Sequence, residues 1–226
     1  MSETTKTTKP KDKAKLSRYE SAEVRKMEAE AEQAELELEK ARLEVEGLRE
    51  QRLFEKDADK RAGVFTLETS VGNSSIVLAN EIRRWGRANP KKPITLQINS
   101  PGGSVFHGLA LYDTLRTLSK QGHTITTVAR GYAASMGSLL FLAGDVRLIG
   151  AEAMVMFHNL SAGTGGDLYT MEDDVKFFKK LNKRLDSIVT KRTKITSEEL
   201  HEQTRKRDWW IGSREAIKLG VAHEVG

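Results

Sequence analysis

From Val24 the apolar positions step through Met27, Ala31, Ala34, Leu38, Ala41, Val45 and Leu48, alternating threes and fours among glutamates and basic residues. This is the heptad spacing of a coiled-coil seam, and it predicts a long charged helix over residues 16–55. Alanine at three seam positions buries little area, so the helix is expected to be largely solvated and partly paired in an oligomer. The pattern breaks at Arg52, and residues 55–62 read as a linker. Residues 1–15, rich in Thr and Lys and containing Pro10, are expected to be disordered.

From Gly63 the pattern changes to apolar strands alternating with amphipathic helices, the signature of parallel pairing through crossover helices. Strands are predicted at 64–69, 94–98, 124–129, 146–149 and 154–157. Helices are predicted at 74–88, with Ile76, Ala79, Ile82 and Trp85 on one face, and at 104–119, 136–143, 169–192, 197–204 and 213–219. The expected organisation is therefore a tail (1–15), a charged helix with its linker (16–62) and one α/β domain (63–226).

Composition narrows the setting. The 226 residues are 38% hydrophobic, enough for one sizeable core. There is no cysteine, so disulfides and thiolate metal sites are excluded. No apolar run is long enough to cross a bilayer and the N-terminus has no apolar leader, so a soluble, cytoplasmic protein is expected. The net charge is +5, but the basic residues between Lys176 and Arg207 alternate with helix formers rather than stacking aromatics. A solvated helix is expected there, and nucleic-acid binding is not.

Chemistry concentrates at the junctions. Ala133-Ala134-Ser135-Met136-Gly137 joins a predicted strand to an apolar helix, and its small residues permit a sharp turn that presents the Ser135 hydroxyl at a helix N-terminus. An ordinary serine cap fits the same residues. A serine nucleophile needs a base. Of the five histidines, His107, His123, His201 and His223 have ordinary surface or capping explanations. His158 instead follows the apolar strand 154–157 and precedes a Gly-rich stretch, at the strand edge where α/β sheets place their sites. Asn99-Ser100-Pro101-Gly102-Gly103 lies between a strand and a helix, where its amides could serve an oxyanion hole, although a plain tight turn fits too. Periodicity selects no orienting carboxylate.

The ordered set Ile98 to Ser104, Ala133 to Ser138 and Met156-Phe157-His158-Asn159 resembles the Clp protease proteolytic subunit (ClpP) family of serine peptidases over about residues 64–226. The resemblance implies a β-α superhelix of the kind shared with crotonases, carrying a handle helix at 169–192. It implies Ser135 as nucleophile, His158 as general base and, in Arg207-Asp208-Trp209-Trp210, Asp208 as the orienting acid. The N–H groups of Gly103 and Met136 match the oxyanion hole. The segment 161–168, with Gly163 and Gly165, would pair with an extended substrate alongside Gly102. No cofactor or metal is implied. The implied assembly is a closed homo-oligomeric ring, heptameric in this reading, that admits unfolded polypeptide. Residues 1–60 depart from the family pattern, which puts an ATP-driven unfoldase partner in doubt. They lean the reading toward a bacteriophage protease that processes scaffold and capsid proteins, with a cellular peptidase close behind. Two rivals stay open: a crotonase-type acyl-CoA hydratase or isomerase, and a non-catalytic assembly protein acting through its N-terminal helix.

Overall fold

A computed structural model describes residues 10–226, with side chains described from Arg25 apart from 28, 50, 51 and 53–57. Helix α1 runs over Pro10–Arg61. The chain up to Ala58 and the chain from Asp59 onward form two separate compact units. Within the first, the described side chains between 25 and 49 are exposed throughout, the seam residues Met27, Leu38, Val45 and Leu48 included. The helix also continues through 55–61, where a linker was expected. The apolar seam ends near Arg52, but Glu-Lys-Asp-Ala-Asp-Lys-Arg contains no Gly or Pro and holds helical backbone without it. Of the predicted tail, residues 1–9 lie outside the described residues, and from Pro10 the chain is helical.

The second unit is built on a seven-stranded sheet whose central path is β1 (Val64–Leu67), β2 (Ile94–Ser100), β3 (Ile125–Ala134), β4 (Val146–Ile149) and β7 (Glu224–Val225), all parallel. Crossovers are made by α2 (Asn73–Ala88), α3 (Val105–Lys120) and α4 (Met136–Phe141). The predicted apolar face of α2 is confirmed at Ala79 and Ile82, which are buried, while Ile76 and Trp85 are half-buried. Ile94, Leu96 and Ile98 of β2 pack with Leu111, Leu115 and Leu118 of α3 and the wholly buried α4 in one apolar core. That core fixes the strand ends on which the chemistry sits.

Strand β3 is longer than its sequence suggests, because Arg130 and Gly131 interrupt the apolar run without ending the strand. Gly131 takes φ +70°, and the pairing changes there. Residues 126–129 pair with β4, whereas Tyr132, Ala133 and Ala134 pair with Met154, Val155 and Met156 of β5 (Met154–Phe157). Strand β6 (Trp209–Gly212), which no pattern announced, joins β5 antiparallel with Phe157 opposite Trp209. Helices α5 (Leu168–Arg192), α6 (Ser197–Thr204) and α7 (Ser213–Lys218) complete the unit.

Beyond α4 the chain leaves three carbonyls in an apolar surround, and arginines converge on them. Arg192 donates to Leu142 O and Gly144 O, Arg116 to Ala143 O, and Arg147 to Gly144 O. Arg147 is only 5% exposed and also donates to Val221, Gly220 and Arg192 carbonyls. Burial, reinforced by Arg192 and Arg116, pushes its pKa down to about 10. Asp145 accepts from Arg116 at 2.6 Å, Ser119 at 2.9 Å and Ile125 N–H at 3.0 Å. Burial alone would raise its carboxyl, yet these bonds outweigh it and hold Asp145 below its ordinary value.

Candidate active site

Parallel neighbours end at the same sheet edge, which is how two residues 23 positions apart meet. Ser135 follows β3, His158 follows β5, and the Ser135 N–H continues the ladder by donating to Met156 O at 2.9 Å. Ser135 Oγ then lies 2.7 Å from His158 Nε2. With the hydroxyl donating to a neutral imidazole, the ring proton sits on Nδ1, which therefore calls for an acceptor.

The turn is strained as well as sharp. Ser135 has φ +55° and ψ −123°, a region that costs a non-glycine residue about 1–3 kcal/mol and persists only where the surroundings enforce it. The enforcement is visible. Ser138 grips the Ser135 carbonyl from both its N–H (3.0 Å) and its Oγ (2.6 Å). Met136 is packed against Gly108 of α3, where any β-carbon would collide with its side chain. Sequence reasoning did not single out Ser138, although a serine three residues past a strained turn is a signal of such a clamp.

The glycine loop abuts this turn. Gly102, at φ +89°, leaves no room for a β-carbon, which would come within 2.7 Å of Ala134 O, Ser135 Cβ and Met136 N. Gly103 is pressed onto the backbone of Val71, with Val71 N–H donating to Gly102 O and Ser104 N–H to Val71 O, both at 2.8 Å. Buried Ser100 fixes the approach, its Oγ donating to Thr69 O at 2.7 Å and accepting from Gly102 N–H at 3.2 Å. Neither the Gly103 nor the Met136 N–H takes part in a turn, loop or cap hydrogen bond among the described residues. Two free amides beside a serine hydroxyl suit an oxyanion hole.

Asp208 is exposed, and no hydrogen bond or ion pair joins it to His158. Its position is nonetheless suggestive. The β5–β6 register pairs Phe157 with Trp209, and carried one residue further it sets Asp208 across from His158. The Gly-rich segment 161–166 is exposed and contains no strand, so the expected substrate-pairing edge is not formed in the lone chain, and Gly163 and Gly165 border open space. Of the other histidines, His123 departs from the surface or capping role expected of it, because its ring is packed inside the unit. His123 is buried with Nδ1 2.8 Å from Lys92 O, His107 Nδ1 is 2.6 Å from Ser104 Oγ, and His223 Nδ1 accepts from Arg147 N–H at 3.2 Å.

A cleft of about 730 Å³, open mouth included, adjoins the Ser–His pair and is walled by Gly103, Met136, Leu139, Phe157, Leu160, Leu185 and Val189. Asn182 and Asp186 of α5 also line it, and neither was foreseen. The described residues include no helix long and apolar enough to cross a membrane.

A family model described as Clp protease matches residues 62–226. The chain is 36% identical over 148 residues to the ATP-dependent Clp protease proteolytic subunit 3 of Rhodococcus jostii, covering 65% of this chain and 71% of that protein. It is 37% identical over 161 residues to the ATP-dependent Clp protease proteolytic subunit of Deinococcus radiodurans, covering 70% and 76%. It is 37% identical over 139 residues to subunit 2 of Tropheryma whipplei, covering 61% and 75%.

Proposed function

The chain belongs to the Clp protease family of serine endopeptidases, and from that premise we propose that it cleaves peptide bonds through Ser135, His158 and Asp208. The observation that carries the assignment is the 2.7 Å contact between Ser135 Oγ and His158 Nε2 on a strained turn. A crotonase-type hydratase has no use for such a pair.

In this reading Ser135 Oγ attacks the substrate carbonyl carbon while His158 Nε2 takes the hydroxyl proton. The oxyanion draws on the Gly103 and Met136 N–H groups. His158 then passes its proton to the departing amine, leaving an ester on Ser135. Water attacks the ester as His158 accepts its proton, and the acid product leaves as the proton returns to Ser135. Asp208 accepts the Nδ1 N–H and stabilises the imidazolium; its support is the β5–β6 register.

We assign the active form to a closed ring of identical subunits that takes in extended polypeptide. Leu168, Tyr169, Val175 and Phe177 stand exposed on α5, and the unformed edge at 161–166 fits a contact completed by substrate or a neighbour. The family match covers residues 62–226 and leaves out nearly all of α1, whose exposed heptad residues suit a coiled coil with a second copy or a helical scaffold protein. That extension supports capsid or scaffold processing during phage head assembly.

Labelling with a fluorophosphonate, followed by native mass measurement, tests nucleophile and ring together. Labelling of wild type but not of Ser135→Ala is expected, and an unlabelled wild-type protein would defeat the assignment. Asp208→Asn should lower kcat by about 10²–10⁴-fold with labelling slowed in parallel. An unchanged rate would remove Asp208 from the mechanism.

A further inference from the structure

Among the described residues, the lining of the cleft beside Ser135 contains one carboxylate and no lysine or arginine. The carboxylate is Asp186, one turn along α5 from Asn182. Leu160 N–H donates to Asn182 Oδ1 at 2.8 Å, which fixes the amide so that Asn182 Nδ2 donates to Asp186 Oδ2 at 2.9 Å. Among the described residues, the other Asp186 oxygen has no hydrogen-bond partner and no cation forms an ion pair with the group. Around it the walls are apolar, with Leu139, Leu160, Leu185, Val189 and Leu200 among them. A half-buried carboxylate held by one amide and left without a counter-ion is an incomplete arrangement.

A lysine or arginine side chain completes it. The methylene stem matches leucine and valine walls, and the charged tip supplies the missing donors to the free oxygen. We propose that Asp186 selects a basic side chain in the substrate residue whose carbonyl Ser135 attacks. This rests on the serine-peptidase reading and specifies its substrate class: polypeptides cut after Lys or Arg. Burial holds the Asp186 carboxyl above its ordinary value, opposed weakly by His201, the basic group acting on it. An incoming cation favours the ionised form, so binding and ionisation reinforce each other.

The test uses the full chain and four peptide–coumarin substrates that differ only in Lys, Arg, Leu or Glu before the scissile bond. In wild type, kcat/KM for Lys and Arg should exceed that for Leu by at least about tenfold, and Asp186→Leu should invert the order. Asp186→Asn should abolish the preference while fluorophosphonate labelling of Ser135 stays at the wild-type level. Equal rates for Lys and Leu in a labelled wild type, or an unchanged preference in Asp186→Asn, would overturn the proposal and leave the peptidase assignment standing. p-Aminobenzamidine, a cation that needs no catalysis, separates the two questions. Saturable binding to Ser135→Ala but not to Ser135→Ala/Asp186→Asn supports the cation site, and no binding to Ser135→Ala counts against it.

Discussion

Helix α4 is treated in opposite ways at its two ends. At Ser135 the backbone is strained and two neighbouring N–H groups stand free. Past Phe141, three successive carbonyls are all engaged by Arg116, Arg147 and Arg192. The difference separates reactivity from stability across a helix of six residues. In the proposed mechanism the unsatisfied donors and forced φ await a transition state, while the arginine end, saturated with hydrogen bonds, anchors the helix that carries the strain. A site of this kind needs one end too rigid to relax.

The sharpest way to break this contrast is at the serine. Ser135→Gly should abolish hydrolysis, a loss of at least about 10³-fold, while raising stability by about 1 kcal/mol as the positive φ ceases to cost anything. Denaturant unfolding alongside a peptidase assay measures both, and a destabilised glycine variant would show that the turn stores no strain. At the other end Arg147→Met should cost about 3 kcal/mol by stranding buried carbonyls, with kcat per folded molecule unchanged. A fall in kcat at full folding would mean that the two ends are not separable.

Two pH effects sharpen the picture at smaller scale. Asp145 is held below its ordinary 3.8, so its stabilisation is complete above that value and is lost as pH falls through the depressed folded-state value. Asp145→Asn should remove this acid limb from a plot of unfolding free energy against pH, at the expense of stability at neutral pH. His223 is held below its ordinary 6.5, first by burial and then by Arg147 and Arg192, and its Nδ1 must stay unprotonated to accept Arg147 N–H. The unfolded chain then binds the proton first, and stability should decline as pH drops below about 6.5. His223→Gln should flatten that slope. A slope retained in the variant would assign it to another group.

Much of the catalytic unit was legible from periodicity. The strands at 146–149 and 154–157 were found to the residue, as was the helix at 197–204. Ser135 and His158 were legible for the same reason, since each directly follows an apolar strand. What escaped depended on pairing rather than pattern. Strand β6 is four residues long, with Trp209 and Ile211 buried and Trp210 exposed, and only its ladder with β5 makes it a strand. Gly131 reads as a breaker, whereas in the sheet it is where β3 changes partners. Asp186 was hidden among the charges of α5, although its place between Leu185 and Val189, four after Asn182, puts polar atoms beside an apolar face. Asp208 came only from family resemblance, because no local pattern marks a loop acid.

With Asp208 in the role proposed for it, the β5–β6 ladder also governs when the enzyme becomes dangerous. Ser135 and His158 each directly follow one of two neighbouring parallel strands, but the acid assigned to them comes just ahead of β6, some fifty residues after His158 and beyond two further helices. A chain still leaving the ribosome thus carries hydroxyl and imidazole long before it carries their carboxylate. The same sequence separation that hid Asp208 from pattern reading acts as a delay, holding full proteolytic strength back until β6 has been made and has paired with β5.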